Sequence, residues 1–137
     1  MTAQSHALVR AFLEAMSAGD LPGDLLTDDM VGWTVSSNTE FPREKYQGAA
    51  KLVAAVFDGG NHYEVQAITA EGDRAAADVR ASGRLIDGQT YANRYVFLFR
   101  FRDGKIARID EFFDPVPMRE KLAPLMQQVM ARMQPPG

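Results

Sequence analysis

The feature that most constrains the fold of this sequence is a change of hydrophobic period near His62. Before it, apolar residues recur at helical spacing, as over 8–16. After it, apolar and polar residues alternate, which predicts strands over 63–70, 75–86, 90–102 and 105–113. Asp87-Gly88 and Asp103-Gly104 are hairpin-turn signals, and such short connections make consecutive strands antiparallel neighbours. Helices followed by such a sheet predict an α+β domain.

The N-terminal part predicts the helices that would cover this sheet. The first helix ends at Gly19-Asp20, and a second is predicted over 48–57. Between them we expect a short strand over 30–35 and a polar loop over 36–43. Helical spacing returns after Pro117, so the chain is predicted to divide into a domain at 1–120 and a helical tail at 121–137.

Composition excludes several classes of function. The 137 residues fit one domain and contain no cysteine, which excludes disulfides, thiolate metal sites and a cysteine nucleophile. With two histidines, a multi-histidine metal site is not expected. The net charge is -3, and the sequence contains no block of basic residues of the kind typical of nucleic-acid binding. Neither a secretory signal nor a bilayer-length apolar segment is present, so we expect a cytoplasmic protein with no membrane partner.

The predicted strand 90–102 has apolar side chains on both of its faces. One row is aromatic and includes Tyr95, Phe97 and Phe99, whereas Val96 and Leu98 lie in the other row between arginines. A strand that is apolar on both sides needs two covering partners. We expect helices on one face and a second copy of the chain on the other, which predicts a homodimer formed through the sheet.

Glu111 is a carboxylate within an otherwise apolar row of the last predicted strand. Burial without a charged partner would raise its pKa and make it a candidate general acid or base. The alternative is a structural glutamate with a partner, or one at the rim of the sheet. The residue pattern leaves both interpretations open.

Three other sets of polar residues have two interpretations each. Strict alternation places Asp78 and Arg80 in solvent, and the alternative is a polar patch on a pocket wall. Asn93 and Tyr95 could form hydrogen bonds with a ligand, or they could be a satisfied core amide and a rim tyrosine. Trp33, the single tryptophan, could lie in the core or in a pocket wall.

Several stretches of the sequence resemble SnoaL-like proteins, which are related to ketosteroid isomerases. The segment YANRYVFLFR at 91–100, with DGKI at 103–106 and DEFFD at 110–114, is similar to the C-terminal half of that family. The segments VRAFLEAMSAGD at 9–20 and LTDD at 26–29 resemble its opening helix and first turn. The resemblance implies a cone, in which a curved sheet wraps around a helix-lined cavity, and a dimer through the sheet. It also implies that Asp78 and Arg80 face the cavity with Glu111.

The resemblance implies small-molecule chemistry without naming a reaction. Steroid isomerases of this group use a tyrosine and two aspartates where Phe12, Thr34 (or Val35) and Phe97 stand, so that mechanism is not expected here. Related epoxide hydrolases use an Asp–Arg–Asp set. Here Asp78, Arg80 and Glu111 supply the residue types with arginine and aspartate exchanged along the strand. Related cyclases use a carboxylate on the last strand, which Glu111 could represent.

Together these observations predict a cofactor-independent isomerase, cyclase or hydrolase acting on a small, largely apolar molecule. Glu111 would be the general base or acid, Arg80 would hold it ionised or stabilise an oxyanion, and Asp78 would orient Arg80. The substrate would be bound by Tyr95, Asn93, Trp33, Phe97, Phe113 and Phe12. The alternative is a non-catalytic ligand-binding or dimerisation module that holds a buried ion network.

Overall fold

The computed structural model describes residues 2–133 and confirms the predicted α+β class. Within this range the helices are α1 (Thr2–Ala18), α2 (Arg43–Ala55), the single turn α3 (Pro115–Pro117) and α4 (Ala123–Met133). A 3₁₀ turn at Gly23–Leu25 precedes the sheet, and a π-helical turn at Met118–Leu122 joins α3 to α4. None of these helices is both long and apolar enough to cross a membrane.

Six strands in the described part of the chain form one sheet in the order β2-β1-β6-β5-β4-β3. Their bounds are β1 (Leu26–Thr34), β2 (Thr39–Pro42), β3 (Phe57–Glu71), β4 (Arg74–Leu85), β5 (Thr90–Arg102) and β6 (Lys105–Phe113). The hairpins predicted at Asp87-Gly88 and Asp103-Gly104 are confirmed by antiparallel pairing on both sides of β5. An antiparallel sheet was predicted, but β1 pairs with β6 in parallel, so the sheet is mixed.

The sheet has an inner face, which the helices cover, and an outer face. Register shifts interrupt the pairing of β3 with β4 and of β5 with β6, and such bulges bend a sheet into the curved wall of a cone. On the inner face, Phe97 and Phe99 of β5 meet Phe12 of α1 at ring-centroid distances of 5.9 and 5.4 Å. All three residues are buried, so α1 packs directly on the inner face of the sheet.

The segment between β1 and β3 differs from its prediction. The helix expected over 48–57 begins at Arg43, five residues earlier, because Pro42 provides the extended residue before its first turn. The loop expected over 36–43 contains β2, which forms a hairpin with β1. The glycines expected to end α2 belong to β3, where Gly59 and Gly60 adopt φ values of +87° and +91° beside a register shift.

The C-terminal segment packs on the domain. Leu122 is fully buried and Leu125 nearly so, while Val129 packs partly buried against the same core. Helix α4 lies against α2. The predicted boundary between a domain at 1–120 and a tail at 121–137 stays a prediction, and residues 134–137 lie outside the described range.

Candidate functional site

Glu111 lies on the inner face of the sheet, inside the cone. Its neighbours across the strands are Phe97 of β5 and Thr34 of β1. Only 8% of its surface is exposed. The strand alternation that placed a carboxylate in an apolar row therefore puts it in the interior, where a charged group requires a partner.

Tyr46 of α2 is that partner. Its phenol hydroxyl donates a hydrogen bond of 2.5 Å to Oε2 of Glu111. The tyrosine ring lies against Gly32 of β1, where an added Cβ would be only 2.2 Å from Tyr46 Cδ1. A side chain at position 32 would therefore push the ring away from the strand, so this glycine makes the tyrosine–carboxylate contact possible.

The pKa of Glu111 is raised from 4.5 to about 7. The main cause is burial, which disfavours the charged carboxylate, and the hydrogen bond from Tyr46 opposes it. A carboxyl group that titrates near neutrality can take up and release a proton at physiological pH, which is what a general acid or base requires.

A pocket of about 220 Å³ opens beside Glu111. Helix α2, the strands β1, β3, β5 and β6, and the C-terminal segment all contribute to its wall. The apolar part of the wall consists of Met16, Phe41, Ala49, Ala50, Val53, Phe113, Met118 and Met126. The polar part consists of Thr34, Ser36, Ser37, Tyr46, Tyr63, Tyr95 and Glu111. Among these described lining residues Glu111 is the only carboxylate, and none is basic.

Hydroxyl groups occupy two parts of this wall. In the β1–β2 turn, Thr34 Oγ1 lies 2.8 Å from Ser37 Oγ. In the sheet, the second part is formed by Tyr63 of β3 and Tyr95 of β5, and burial raises the pKa of each phenol above its usual value. Both phenols therefore remain protonated at neutral pH. The Tyr95 hydroxyl lies 2.8 Å from that of Tyr91, so Tyr95 can donate to an oxygen atom of a ligand when Tyr91 is the donor of their shared hydrogen bond.

The expectation that Asp78 and Arg80 line the cavity with Glu111 is wrong. Both side chains lie on the outer face of β4, while their neighbours Ala77, Val79 and Ala81 are buried on the inner face. Asp78 instead accepts hydrogen bonds of 3.1 and 2.9 Å from Arg94 of β5. This hydrogen bonding lowers the pKa of Asp78. Strict alternation predicted the exposed position, and the inference by resemblance misplaced it.

Trp33 and Asn93 do not line the pocket either. Trp33 aligns with Asp110 on the outer face, where its ring centroid lies 5.1 Å from that of Phe112. The Asn93 amide donates to Tyr91 Oη and to the Asp114 carbonyl at 2.8 and 2.9 Å. Asn93 is therefore a structural amide that holds the end of β6, which was the alternative interpretation from sequence.

The aromatic residues proposed to bind substrate divide into two groups. Tyr95 and Phe113 line the pocket, with ring centroids 5.0 Å apart. Phe97 and Phe12 are fully buried in the core and are absent from the lining. They support the pocket by packing under it.

The sequence pattern missed Tyr46, Tyr63 and the hydroxyls of the β1–β2 turn. Tyr46 lies in the first turn of α2, between the loop predicted over 36–43 and the helix predicted over 48–57, so the sequence pattern assigned it to no element. Tyr63 was included in a predicted strand, and its alternation with the exposed His62 and Glu64 was the signal that it faces inward. Within residues 2–133, no group of three histidine, cysteine, aspartate or glutamate side chains is placed to hold a metal ion.

Solved structures with the same fold are numerous. IdmH from Streptomyces antibioticus, provisionally assigned as a polyketide cyclase, is 24% identical with a TM-score of 0.73, over 85% of this chain and 96% of that one. AclR from Streptomyces galilaeus, provisionally assigned as a hydroxylase, is 23% identical with a TM-score of 0.74. The alignment covers 93% of this chain and 98% of AclR. An LEH-like epoxide hydrolase of M. tuberculosis is 17% identical with a TM-score of 0.71, over 95% and 97%. At these identities the likeness shows a shared fold.

The sequence itself identifies the family. A search of curated proteins found no match to this chain. The model of the SnoaL-like domain matches residues 9–109, which is most of the chain and spans α1 to the middle of β6. The chain therefore belongs to the SnoaL-like domain family.

Proposed function

We propose that the pocket beside Glu111 catalyses a cofactor-independent proton transfer, of the isomerase or cyclase type, on a small and largely apolar molecule. The observation that supports this most directly is a buried carboxyl group with a pKa of about 7 in an open, mainly apolar pocket. A general base of this pKa is half ionised at neutral pH and is matched to proton abstraction from carbon. Family membership and the related cyclase support the same class of chemistry.

Each group in the pocket has a role in this proposal. The Glu111 carboxylate removes a proton from the carbon next to a carbonyl group, and the resulting negative charge moves to the carbonyl oxygen. Tyr63 or Tyr95 donates a hydrogen bond to that oxygen. In an isomerase, the Glu111 carboxylic acid returns the proton to a different carbon. In a cyclase, the enolate carbon forms a bond to a second carbonyl carbon of the same molecule, whose oxygen then takes the proton.

The charge of the pocket narrows the class of substrate. Because the described lining holds one carboxyl group and no basic side chain, an anionic ligand would meet Glu111 without compensation. We infer that the substrate is uncharged in the part that enters. The epoxide-hydrolase variant has no support, because Asp78 and Arg80, needed beside Glu111, lie on the opposite face of the sheet.

Base catalysis can be measured without knowing the natural substrate. In 5-nitrobenzisoxazole, a base removes the proton on C3 while the ring N–O bond breaks, and the product is a coloured cyano-nitrophenolate. We expect the protein to accelerate this elimination with an apparent pKa near 7. Glu111→Gln should lower the rate by about 10²-fold or more. Asp110→Asn is the matched control, because it removes the adjacent carboxylate that faces outward.

Two outcomes would contradict the proposal. One is a wild-type rate no higher than that given by acetate at the same concentration. The other is a Glu111→Gln variant that folds and keeps the wild-type rate. Binding of the probe without turnover would instead favour the alternative function, a non-catalytic ligand-binding module.

A further inference from the structure

The pocket is closed in part by residues that follow the sheet. The family match ends at residue 109, and the last strand ends at Phe113. Met118 in the π-helical turn and Met126 in α4 nevertheless line the pocket. These two thioether side chains therefore lie beyond the matched residues, as Glu111 itself does.

The packing of this segment fixes where the two methionines lie. Leu122 and Leu125, between them in the sequence, are buried in the core. The Lys121 ammonium group donates a hydrogen bond of 2.8 Å to the backbone carbonyl of Thr90, at the start of β5. Helix α4 also packs against α2, which supplies Tyr46 to the site. The segment is thus held at several points while its methionines face the cavity.

The size of the pocket gives these methionines a function. Its volume of about 220 Å³ is below the ~300–1,000 Å³ typical of ligand pockets, so the removal of one methionine side chain would change the size of molecule that fits. Methionine side chains are flexible and adapt to different shapes. A π-helical turn, as at Met118–Leu122, is a rare element found often at functional sites.

We propose that Met118 and Met126 are specificity-determining residues, which set the upper size limit of the uncharged molecule that reaches Glu111. This inference concerns the same pocket as the proposed function and rests on it for the nature of the ligand. Shortening either side chain enlarges the cavity that both methionines line. It should admit larger ligands without altering the carboxyl group.

Binding of three uncharged ketones of increasing size tests the proposal by calorimetry or ligand-observed NMR. Cyclohexanone, 2-tetralone and anthrone contain one, two and three rings. We expect the wild type to bind 2-tetralone and to discriminate against anthrone. Met126→Ala and Met118→Ala should each improve the affinity for anthrone relative to cyclohexanone by about tenfold or more. Met130→Ala is the matched control, since Met130 is on the same helix but exposed, and it should leave the ratio unchanged.

The inference is overturned if both alanine variants keep the wild-type ratio, or if no ketone binds to any of the proteins. Met126→Val and Met118→Val remove less volume and replace the alanine variants if those do not fold. We expect them to change the affinity ratio in the same direction by a smaller factor. The benzisoxazole elimination separates this result from the proposed function. If the methionine variants change the preference for ligand size but the protein does not catalyse the elimination, only the proposed function is contradicted. If the protein catalyses the elimination but the variants leave the size preference unchanged, only this inference is contradicted.

Discussion

The hydroxyl of Tyr46 donates a 2.5 Å hydrogen bond to the carboxyl group of Glu111, although 65 positions separate the two residues in the sequence. Tyr46 comes from α2 and Glu111 from β6, so the contact forms only when the helix closes over the sheet. Burial favours the neutral acid and the tyrosine hydroxyl favours the carboxylate. Their balance keeps the pKa near neutrality instead of higher.

Replacing Tyr46 with phenylalanine removes the hydrogen bond that favours the ionised form of Glu111. We expect the pKa of Glu111 to rise above its wild-type value in Tyr46→Phe, because burial is then unopposed. The measurement is a ¹³C NMR titration of the glutamate side-chain carboxyl signals. Tyr63→Phe is the control, since it removes a phenol hydroxyl from the same pocket but leaves the hydrogen bond to Glu111 in place. An unchanged pKa in Tyr46→Phe would contradict the assigned role.

The raised pKa of Glu111 makes stability depend on pH. The carboxyl group titrates near 4.5 in the unfolded chain and near 7 in the folded protein, so between these values the folded state holds the extra proton. The resulting stabilisation is complete below the unfolded pKa and is lost as pH rises through the folded pKa. The loss amounts to about 3 kcal/mol in the free energy of unfolding.

Urea denaturation of the wild type and of Glu111→Gln between pH 5 and pH 8 measures this loss. Glutamine cannot ionise, so the free energy of unfolding of the variant should increase relative to that of the wild type as pH rises. Most of this change should occur below pH 7. If the difference between the two proteins stays constant across the range, the carboxyl group is not titrating in the folded state as described.

Gly32 provides a test of how the site is positioned. In Gly32→Ala the new methyl group would overlap the ring of Tyr46, so the ring must move away from β1. Overpacking of this kind costs typically about 1–3 kcal/mol, and it should also weaken the hydrogen bond to Glu111. Gly48→Ala is the matched control, because position 48 in α2 has open space around it and alanine favours a helix.

Two measurements follow from Gly32→Ala. Thermal unfolding should show destabilisation in this variant and a slight stabilisation in Gly48→Ala. The carboxyl titration should show a higher Glu111 pKa in Gly32→Ala alone. A Gly32→Ala protein with wild-type stability and titration would show that the ring does not depend on this glycine.

Much of the fold could be predicted from local signals, and the departures have physical reasons. The turns at Asp87-Gly88 and Asp103-Gly104 fix the neighbours of β5, because a hairpin requires adjacent antiparallel strands. The parallel pairing of β1 with β6 has no such local signal, since these strands are far apart in the sequence. The start of α2 was also missed, because Pro42 suggested a loop where it precedes the first helical turn.

The candidate site was predictable only in part. Glu111 could be singled out because it is a carboxylate in an apolar row, although that pattern left open whether its role is functional or structural. Tyr46 could not, because its orientation depends on a helix boundary and on the gap left by Gly32. Asp78 and Arg80 show the reverse case, in which the alternation of β4 predicted the exposed face correctly and the family resemblance did not.

The outer face of the sheet supports a prediction about assembly. Val96, Leu98 and Phe112 lie on neighbouring strands of this face and are 37%, 39% and 40% exposed. Charges of both signs flank them, including the Asp78–Arg94 pair. An apolar strip with charges of both signs at its edges can pair with a second copy of itself. We propose that two copies of the chain associate through this face.

Specific interfaces bury at least ~1,000 Å² in total, and an interface of this size through the outer face would keep the dimer associated at micromolar concentration. Light scattering at that concentration should therefore give twice the mass of one chain. Leu98→Lys places a positive charge in the middle of the strip, beside Arg100, and should give the mass of a single chain. Ile86→Lys is the control, because Ile86 is 44% exposed but lies in the turn after β4, away from the strip. A monomeric wild type would contradict the proposal. A Leu98→Lys dimer would show that the two copies meet through a different surface.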